Sequence, residues 1–227
     1  MKTVNIEFMK NSGFHLVFDK IQMVLDYYEG PLTLTDQPGW FITTHGHPDH
    51  YNPKIFEHRR EDINYILSDD IIPPEGEEAL LVRAGQIVDL GDVKLNTYDS
   101  TDLGISMIIG VENWNILHMG DLNWWHWEED SKEEQEAMEK AFKDEVKKMS
   151  GIPIDIAMVP VDPRMGEAGF WAGDYVIRWL RPRYVIPMHL QENWEFAEEF
   201  KERHNTDFTL ILPVVDEEAS WIIMDNE

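Results

Sequence analysis

A short stretch dense in histidine constrains the chain more than any other feature. Directly after the β-rich run Phe41-Ile42-Thr43-Thr44, three of the nine histidines fall within six residues, in the order His45-Gly46-His47-Pro48-Asp49-His50. Imidazole and carboxylate are the groups that Zn²⁺ takes when thiolate is absent, and the chain has no cysteine. A tight loop can direct alternate residues to one point, so His45 and His47 can share one metal while Asp49 and His50 face a second. A polar surface turn is the alternative, but it does not explain such close spacing.

The charge balance excludes several classes of partner. Nineteen Lys and Arg stand against 44 Asp and Glu, so the formal net charge is −25. A broad surface for nucleic acid or for an anionic membrane needs the opposite sign. The first ten residues do not resemble a signal peptide, and no apolar run approaches the roughly 20 residues of a membrane helix. We therefore expect a soluble, cytoplasmic protein that binds a small-molecule substrate, with no nucleic acid and no membrane, and with an oligomer left open.

Hydrophobic periodicity predicts a layered α/β protein. Short runs of period 2 up to Met119 indicate strands, among them Ile21–Leu25 and the pair Ile105–Val111 and Trp114–Met119. Beyond Met119 the period changes, and a capping box at Ser131 opens a predicted helix. Further strands and helices are predicted over Pro53–Arg60 (helix), Ile63–Ser68, Ile154–Val159, Ala172–Leu180 (helix), Tyr184–Met188, Trp194–Arg203 (helix), Thr209–Leu212 and Trp221–Met224.

The pattern His45-x-His47-x-Asp49-His50 resembles the defining motif of the metallo-β-lactamase-fold hydrolase superfamily. Asp26, the pair Gly120-Asp121 and His189 follow the order of the family's other motifs. The wording Ile186-Pro187-Met188-His189 is most similar to a bacterial branch that includes ascorbate-6-phosphate lactonase. The resemblance implies a single domain over residues 1–227 with an α/β fold, a four-layer αββα sandwich.

The resemblance also implies a ligand set for two metal ions. His45, His47 and Asp121 would hold the first metal, and Asp49, His50, Asp121 and His189 the second, with Asp121 as the bridge. Asp49 and Asp121 are then the expected catalytic residues, and Asp26 would support the histidine loop. Two zinc ions are the expected cofactor, with manganese or iron as alternatives. A redox di-iron centre is disfavoured, because that branch usually carries an acid where His47 stands.

One element departs from the family pattern. The third motif should supply a histidine to the first metal, but the stretch Tyr98–Ser106 contains none, and Ser100 or Thr101 falls at that position. The gap can be filled by Asp99, Asp102, or His126 of the next loop, or by water, or the protein can hold a single metal. Among these we favour Asp102.

Other side chains near the motifs have two interpretations each. The run Trp124-Trp125-His126-Trp127 can wall a pocket or pack into the core. Asp162 can orient a metal ligand or turn the chain, and Arg164 can hold a substrate carboxylate or phosphate or form an ion pair. His118 is expected to be a buried strand histidine with satisfied hydrogen bonds.

The sequence thus predicts a cytoplasmic, metal-dependent hydrolase. By resemblance, its substrate is a small-molecule ester, lactone or phosphate-bearing compound attacked by metal-activated water. Two alternatives stay open: a phosphodiesterase or nuclease of the same fold, and a non-catalytic metal-binding protein with a degenerate first site.

Overall fold

The computed structural model describes residues 2–204 and 208–225. Its strands are β1 (Lys2–Phe8), β2 (Phe14–Val17), β3 (Gln22–Leu25), β4 (Gly39–Thr43), β5 (Ile63–Ser68), β6 (Leu80–Val82), β7 (Ile87–Asp89), β8 (Val93–Asp99), β9 (Ile105–Val111), β10 (Trp114–His118), β11 (Ile156–Pro160), β12 (Tyr184–Met188), β13 (Leu210–Ile211) and β14 (Ser220–Asp225). The α-helices are α1 (Lys132–Lys148), α2 (Trp171–Leu180) and α3 (Trp194–Arg203), and two 3₁₀ helices span Pro53–His58 and Pro163–Phe170.

The strands form two mixed sheets of similar plan. The first sheet has the order β14-β1-β2-β3-β4-β5-β6, antiparallel from β14 to β3 and parallel from β3 to β6. The second has the order β13-β12-β11-β10-β9-β8-β7, parallel from β13 to β10 and antiparallel from β10 to β7. Each sheet therefore has a parallel half, whose strands end at one edge.

Successive side chains along the strands of the first sheet belong to two separate apolar clusters, one on each face of the sheet. Met23 and Leu25 of β3 belong to the main core, which also takes side chains from the second sheet. Val24, between them, joins Phe41 and Ile55 in a smaller cluster on the other face. Because side chains alternate along a strand, the main core lies between the sheets. The first 3₁₀ helix covers the outer face of the first sheet.

The three α-helices pack on or beside the second sheet. α1 begins with the predicted capping box between Ser131 and Glu134, and it buries Phe142 and Val146. α2 contacts both α1 and β11. A Cβ placed on Gly173 of α2 would lie 2.5 Å from the Phe200 ring of α3, so this close packing requires glycine. Together with the two sheets, these helices form the predicted layered sandwich.

Several predicted boundaries differ from the structure. The strand predicted over Ile154–Val159 begins at Ile156, and the one predicted over Thr209–Leu212 covers only Leu210–Ile211. The helix predicted over Pro53–Arg60 is a 3₁₀ helix that ends at His58. Two elements were not predicted. They are β6, which has only three residues, and the second 3₁₀ helix, which contains two glycines that favour a loop.

The topology brings the polar motifs to one edge of the sandwich. Asp26 and His45 follow β3 and β4, while Asp121, Asp162 and His189 follow β10, β11 and β12. These strands lie in or border the parallel halves of the two sheets, and ligand sites of α/β proteins lie at the carboxyl ends of such strands.

None of the helices in the described ranges combines the length and apolar character needed to cross a membrane. The prediction of one domain over residues 1–227 stays a prediction.

Candidate metal centre

Asp26 fixes the histidine loop at both ends. It adopts a left-handed backbone conformation (φ 45°) and is completely buried. Its carboxylate accepts hydrogen bonds from the Thr44 backbone N–H and the Thr44 hydroxyl, each at 2.7 Å. The same carboxylate lies 2.8 Å from Nδ1 of His50. The loop therefore leaves β4 in a fixed direction, and His50 presents Nε2 to the interior of the site.

The second cluster comprises Asp49, His50 and His189, which offer ligand atoms within 4.8 Å of one another. His189 follows β12 in a left-handed conformation (φ 64°), and its Nδ1 lies 2.9 Å from Asp162. Asp162 therefore orients His189 as Asp26 orients His50. Both histidines are buried, and both keep Nε2 for a ligand.

The first cluster comprises His45, His47 and Asp121, whose ligand atoms also lie within 4.8 Å of one another. Nε2 of His45 is 3.1 Å from Nδ1 of His47. His45 is buried, with Nδ1 beside the Thr44 hydroxyl at 3.0 Å, whereas the His47 side chain is 42% exposed. This cluster therefore lies at the mouth of the site.

Asp121 lies between the two clusters. One carboxylate oxygen, Oδ2, is 3.3 Å from His45 and 3.9 Å from His47. The other, Oδ1, is 3.1 Å from Nε2 of His50 and 3.4 Å from Nε2 of His189. Each oxygen thus faces one cluster, which is the arrangement of a bridging ligand.

The glycine before Asp121 allows this close approach. Gly120 has φ 51°, and a Cβ there would lie 2.9 Å from the Thr44 side chain and 3.0 Å from the Ile105 carbonyl oxygen. A larger residue would push the β10 loop away from the histidine loop. The Gly-Asp pair therefore brings the carboxylate against the histidines.

The donor set fits divalent metal ions. Among the described residues, His50 Nε2 and Asp121 Oδ1 are buried and have no hydrogen-bond partner. Burial opposes the charged form of both groups, yet His45 and His50 hold the pKa of Asp121 far below its usual range, and Asp121 and Asp26 raise the pKa of His50 to about 10. A carboxylate surrounded by four imidazoles suits one or two hard or borderline cations.

At the position of the missing third histidine, Thr101 forms hydrogen bonds with the backbone and offers no imidazole. Its hydroxyl donates to the Asn123 carbonyl at 2.6 Å and accepts from the Asn123 N–H at 2.9 Å, so it fixes the loop that carries Asp121. The next residue, Asp102, lies 3.8 Å from Nδ1 of His47 and is half-exposed. The structure does not bring His126 to either cluster. Its ring packs on Trp171 at 4.6 Å and lines a groove of about 720 Å³ between α1 and α2.

The tryptophan run divides between core and site. Trp124 contacts Phe142 and Trp171, with ring centroids at 6.1 and 5.2 Å, and so packs against the core. Trp125 lies 5.8 Å from the His189 ring and stacks on Trp127 at 5.9 Å. Trp125 therefore lies beside His189, whereas Trp124 packs against the core and also lines the groove between α1 and α2.

The turn between β1 and β2 is a part of the site that the sequence analysis missed. The side-chain amide of Asn11 donates to Asp49 at 3.0 Å, and the backbone carbonyl of Asn11 accepts from the His189 backbone N–H at 3.0 Å. The backbone carbonyl of Ser12 accepts a hydrogen bond from Nε2 of His118 at 2.9 Å. His118 is therefore the predicted buried strand histidine with satisfied hydrogen bonds. A cavity of about 340 Å³ opens beside Asp49 and is lined by Asn11, Tyr28, Leu190 and Trp194, among others. An asparagine between polar turn residues was the only local signal.

Comparison with known families identifies the family of the chain. Residues 5–189 match the β-lactamase superfamily domain, and the chain belongs to this family. The predicted metallo-β-lactamase fold is thereby confirmed, together with the expectation of an enzyme of this hydrolase superfamily. No curated protein sequence matches the chain at a significant level.

Solved structures share the fold at low sequence identity. Igni18, a metallo hydrolase from Ignicoccus hospitalis, is 16% identical, with a TM-score of 0.68 over 99% of this chain and 100% of that protein. A candidate metal-dependent hydrolase from Parabacteroides distasonis is also 16% identical, with a TM-score of 0.69 over 96% and 94%. CmlA, a diiron β-hydroxylase from Streptomyces venezuelae, is 11% identical, with a TM-score of 0.60 over 97% of this chain and 54% of CmlA. The fold alone therefore does not determine the metal or the reaction.

Proposed function

We propose that the protein is a metal-dependent hydrolase that uses two zinc ions to attack a small-molecule ester, lactone or phosphate-bearing substrate. The observation that carries this proposal is the position of Asp121, whose two oxygens face two separate clusters of histidine and aspartate. Bound divalent metals would supply an activated water and polarise the carbonyl or phosphoryl oxygen of the substrate.

The residues of the chain would divide the remaining work. His45, His47 and Asp121 would hold one metal, and Asp49, His50, Asp121 and His189 the other. We further propose Asp102 as the residue that completes the first site, because its carboxylate is 3.8 Å from His47. Asp49 has one oxygen engaged by Asn11, and within the described residues the other forms no hydrogen bond. That second oxygen would face the metal and accept a proton beside the cavity.

Zinc is supported by the chemistry of the ligands. The clusters contain imidazole and carboxylate groups, which zinc accepts in catalytic sites, and the chain has no cysteine. Manganese and iron accept the same groups. The relation to CmlA makes iron the principal competitor, but His47 favours a hydrolytic centre over a redox centre.

The substrate class is supported by charge and cavity size. A protein with a net charge of −25 repels long polyanions, and the cavity beside Asp49 has a volume suited to a small molecule. A phosphodiesterase of the same fold is the second candidate. The similarity to the ascorbate-6-phosphate-lactonase branch rests on the residues around His189 and stays a prediction, as does the cytoplasmic location.

A metal-replete activity screen tests the proposal. We expect purified protein to retain up to two metals per chain and to hydrolyse some of a panel of p-nitrophenyl esters, lactones and phosphodiesters. Asp121→Ala removes a group that faces both clusters, so turnover should fall by three orders of magnitude or more, which corresponds to roughly 4 kcal/mol of barrier. Metal content by mass spectrometry and initial rates are the measurements.

The matched control is Asp92→Ala, which removes an exposed carboxylate in the turn between β7 and β8. Its metal content and rates should equal those of the wild type. His50→Ala should lose activity as Asp121→Ala does. Protein that binds no metal, or equal turnover in the wild type and His50→Ala, would show that the proposed site is not the active site.

A further inference from the structure

We propose that Arg164 binds an anionic group of the substrate, a carboxylate or a phosphate, at a subsite beside the second cluster. This inference rests on the proposed function, because it names the kind of substrate that the same site accepts. The Arg164 side chain is fixed on one edge and exposed on the other.

Asp162 fixes one edge of the guanidinium group. This buried aspartate caps the second 3₁₀ helix, where its Oδ1 accepts the Arg164 backbone N–H at 2.9 Å. Both of its oxygens accept Nε at 3.0 Å, and Oδ2 accepts Nη2 at 2.5 Å. The same Oδ2 lies 2.9 Å from Nδ1 of His189. Arg164 is therefore joined to a proposed metal ligand through a single carboxylate.

Two tryptophans support the guanidinium group. Its central carbon lies 5.9 Å from the ring centroid of Trp125 and 5.6 Å from that of Trp127. These two rings are nearly parallel, with an interplanar angle of 8°. Contact with aromatic rings and the fork of hydrogen bonds restrict the side chain before any ligand binds, which lowers the entropy lost on binding.

The opposite edge of the guanidinium group is available. The Arg164 side chain is 47% exposed, and among the described residues no hydrogen bond from Nη1 is formed. The ion pair with Asp162 explains the fixed edge and leaves the other unexplained. An arginine with a free pair of N–H groups is suited to a planar or tetrahedral oxyanion.

The surroundings make this position relevant to the reaction. The hydrogen-bonded Asp162 carboxylate raises the pKa of the Arg164 guanidinium, and the charges of Asp121 and Asp49 add to this effect, so the cation lies within electrostatic range of both clusters. Lys10, which lines the cavity beside Asp49, is already paired with Glu29 at 2.9 Å. Arg164 therefore offers a fixed positive charge beside the site in a strongly acidic protein.

The first experiment compares two esters on the zinc-loaded enzyme: neutral p-nitrophenyl acetate and anionic mono-p-nitrophenyl succinate. In Arg164→Gln, we expect KM for the anionic ester to rise on the order of 10-fold with kcat retained, and both constants for the neutral ester to change by much less. Arg164→Lys keeps the charge but not the fork, and should fall between. Arg178→Gln, which removes an exposed arginine of α2, should match the wild type.

The metal content of each variant must be measured, because loss of Arg164 could disturb Asp162 and His189. Equal losses on the two esters at full metal content would overturn the proposal and leave Arg164 with a purely structural role. If the zinc-loaded wild type hydrolyses neither ester, that result counts against the proposed function and not against the anion subsite.

The subsite is then tested separately by calorimetric titration of zinc-loaded protein with inorganic phosphate and with succinate. The anion whose affinity falls about 10-fold in Arg164→Gln, but not in Arg178→Gln, identifies the group that is bound. If Arg164→Gln binds phosphate and succinate as tightly as Arg178→Gln does, the proposed subsite is wrong.

Discussion

The two halves of the candidate centre differ in how firmly their side chains are held. In the second cluster, Asp26 orients His50, Asp162 orients His189, and Asn11 holds Asp49, with contacts of 2.8 to 3.0 Å. Of the three supporting residues, Asp26 and Asp162 are completely buried and Asn11 is partly buried.

The first cluster lacks comparable support. Within the described residues, Nδ1 of His45 has only the Thr44 hydroxyl beside it, and Nε2 of His47 forms no hydrogen bond. His47 and Asp102 are both nearly half exposed.

This difference has an energetic consequence. A ligand that is already oriented loses little freedom when it binds, and a histidine that donates a hydrogen bond to a carboxylate is a better metal ligand. We therefore expect the second cluster to bind its metal first and more tightly. The missing third histidine falls in the cluster that is already more open, so the two metals should be separable in a titration.

The largest effect on this difference should come from Asp26→Asn. The amide can still accept one hydrogen bond from Thr44, but its NH₂ group no longer accepts from Nδ1 of His50 and favours the wrong tautomer. The tighter metal should then bind about 10- to 100-fold more weakly. Competition for zinc against a chromogenic chelator measures both affinities.

The weaker affinity serves as the internal control for Asp26→Asn. It should change much less, although Asp26 also fixes the start of the histidine loop through Thr44. If the two affinities fell by equal factors, the support of His50 would not be what distinguishes the clusters.

A smaller effect, on the order of 10-fold, is expected at Asp102. Asp102→Asn should weaken zinc binding only at the first cluster, because the Asp102 carboxylate faces His47. Asp102→His restores an imidazole near the position where the family motif has one, and should bind zinc at the first cluster at least as tightly as the wild type. The visible absorption of the cobalt-substituted protein reports the change in coordination at the same site.

Asp99→Asn is the matched control, since Asp99 is exposed in the same stretch and, within the described residues, its carboxylate accepts a hydrogen bond only from the Ser100 N–H. Its two zinc affinities should equal those of the wild type. An unchanged weaker affinity in Asp102→Asn would mean that water, and not Asp102, completes the first site.

The fold and most of the proposed ligands could be predicted because their signals are local. The histidine loop is contiguous, and Asp26, Asp121 and His189 each follow a strand with a clear apolar pattern. The capping box at Ser131 likewise acts within one turn of helix.

The supporting groups could not be predicted in the same way. Asn11 meets Asp49 across 38 residues, and Thr101 meets Asn123 across 22. Such contacts depend on how the two sheets face each other, which no local period encodes. The sequence could not decide between the two interpretations of Asp162 for the same reason, since its contact with His189 spans 27 residues.

The last comparison of the two clusters concerns the proton that zinc displaces from His50 and the pH dependence that follows. Burial opposes a charged His50, but Asp121 and Asp26 raise its pKa to about 10 in the metal-free protein. An unfolded histidine has a pKa of about 6.5, so this proton stabilises the metal-free fold fully below that pH, and the stabilisation is lost as pH rises towards 10. Zinc needs the neutral imidazole and displaces the proton.

The affinity of the second cluster should therefore rise between pH 6 and 8, by at most about tenfold per pH unit for one proton. The increase in Tm on adding zinc should likewise be larger at pH 8 than at pH 6. Titration calorimetry in two buffers of different ionisation enthalpy counts the protons released. That count should fall in Asp26→Asn, which removes a carboxylate that holds the proton, and stay unchanged in His204→Gln, whose ring pairs with Asp174. Zinc binding without proton release would show that the carboxylates around His50 do not hold a proton before the metal arrives.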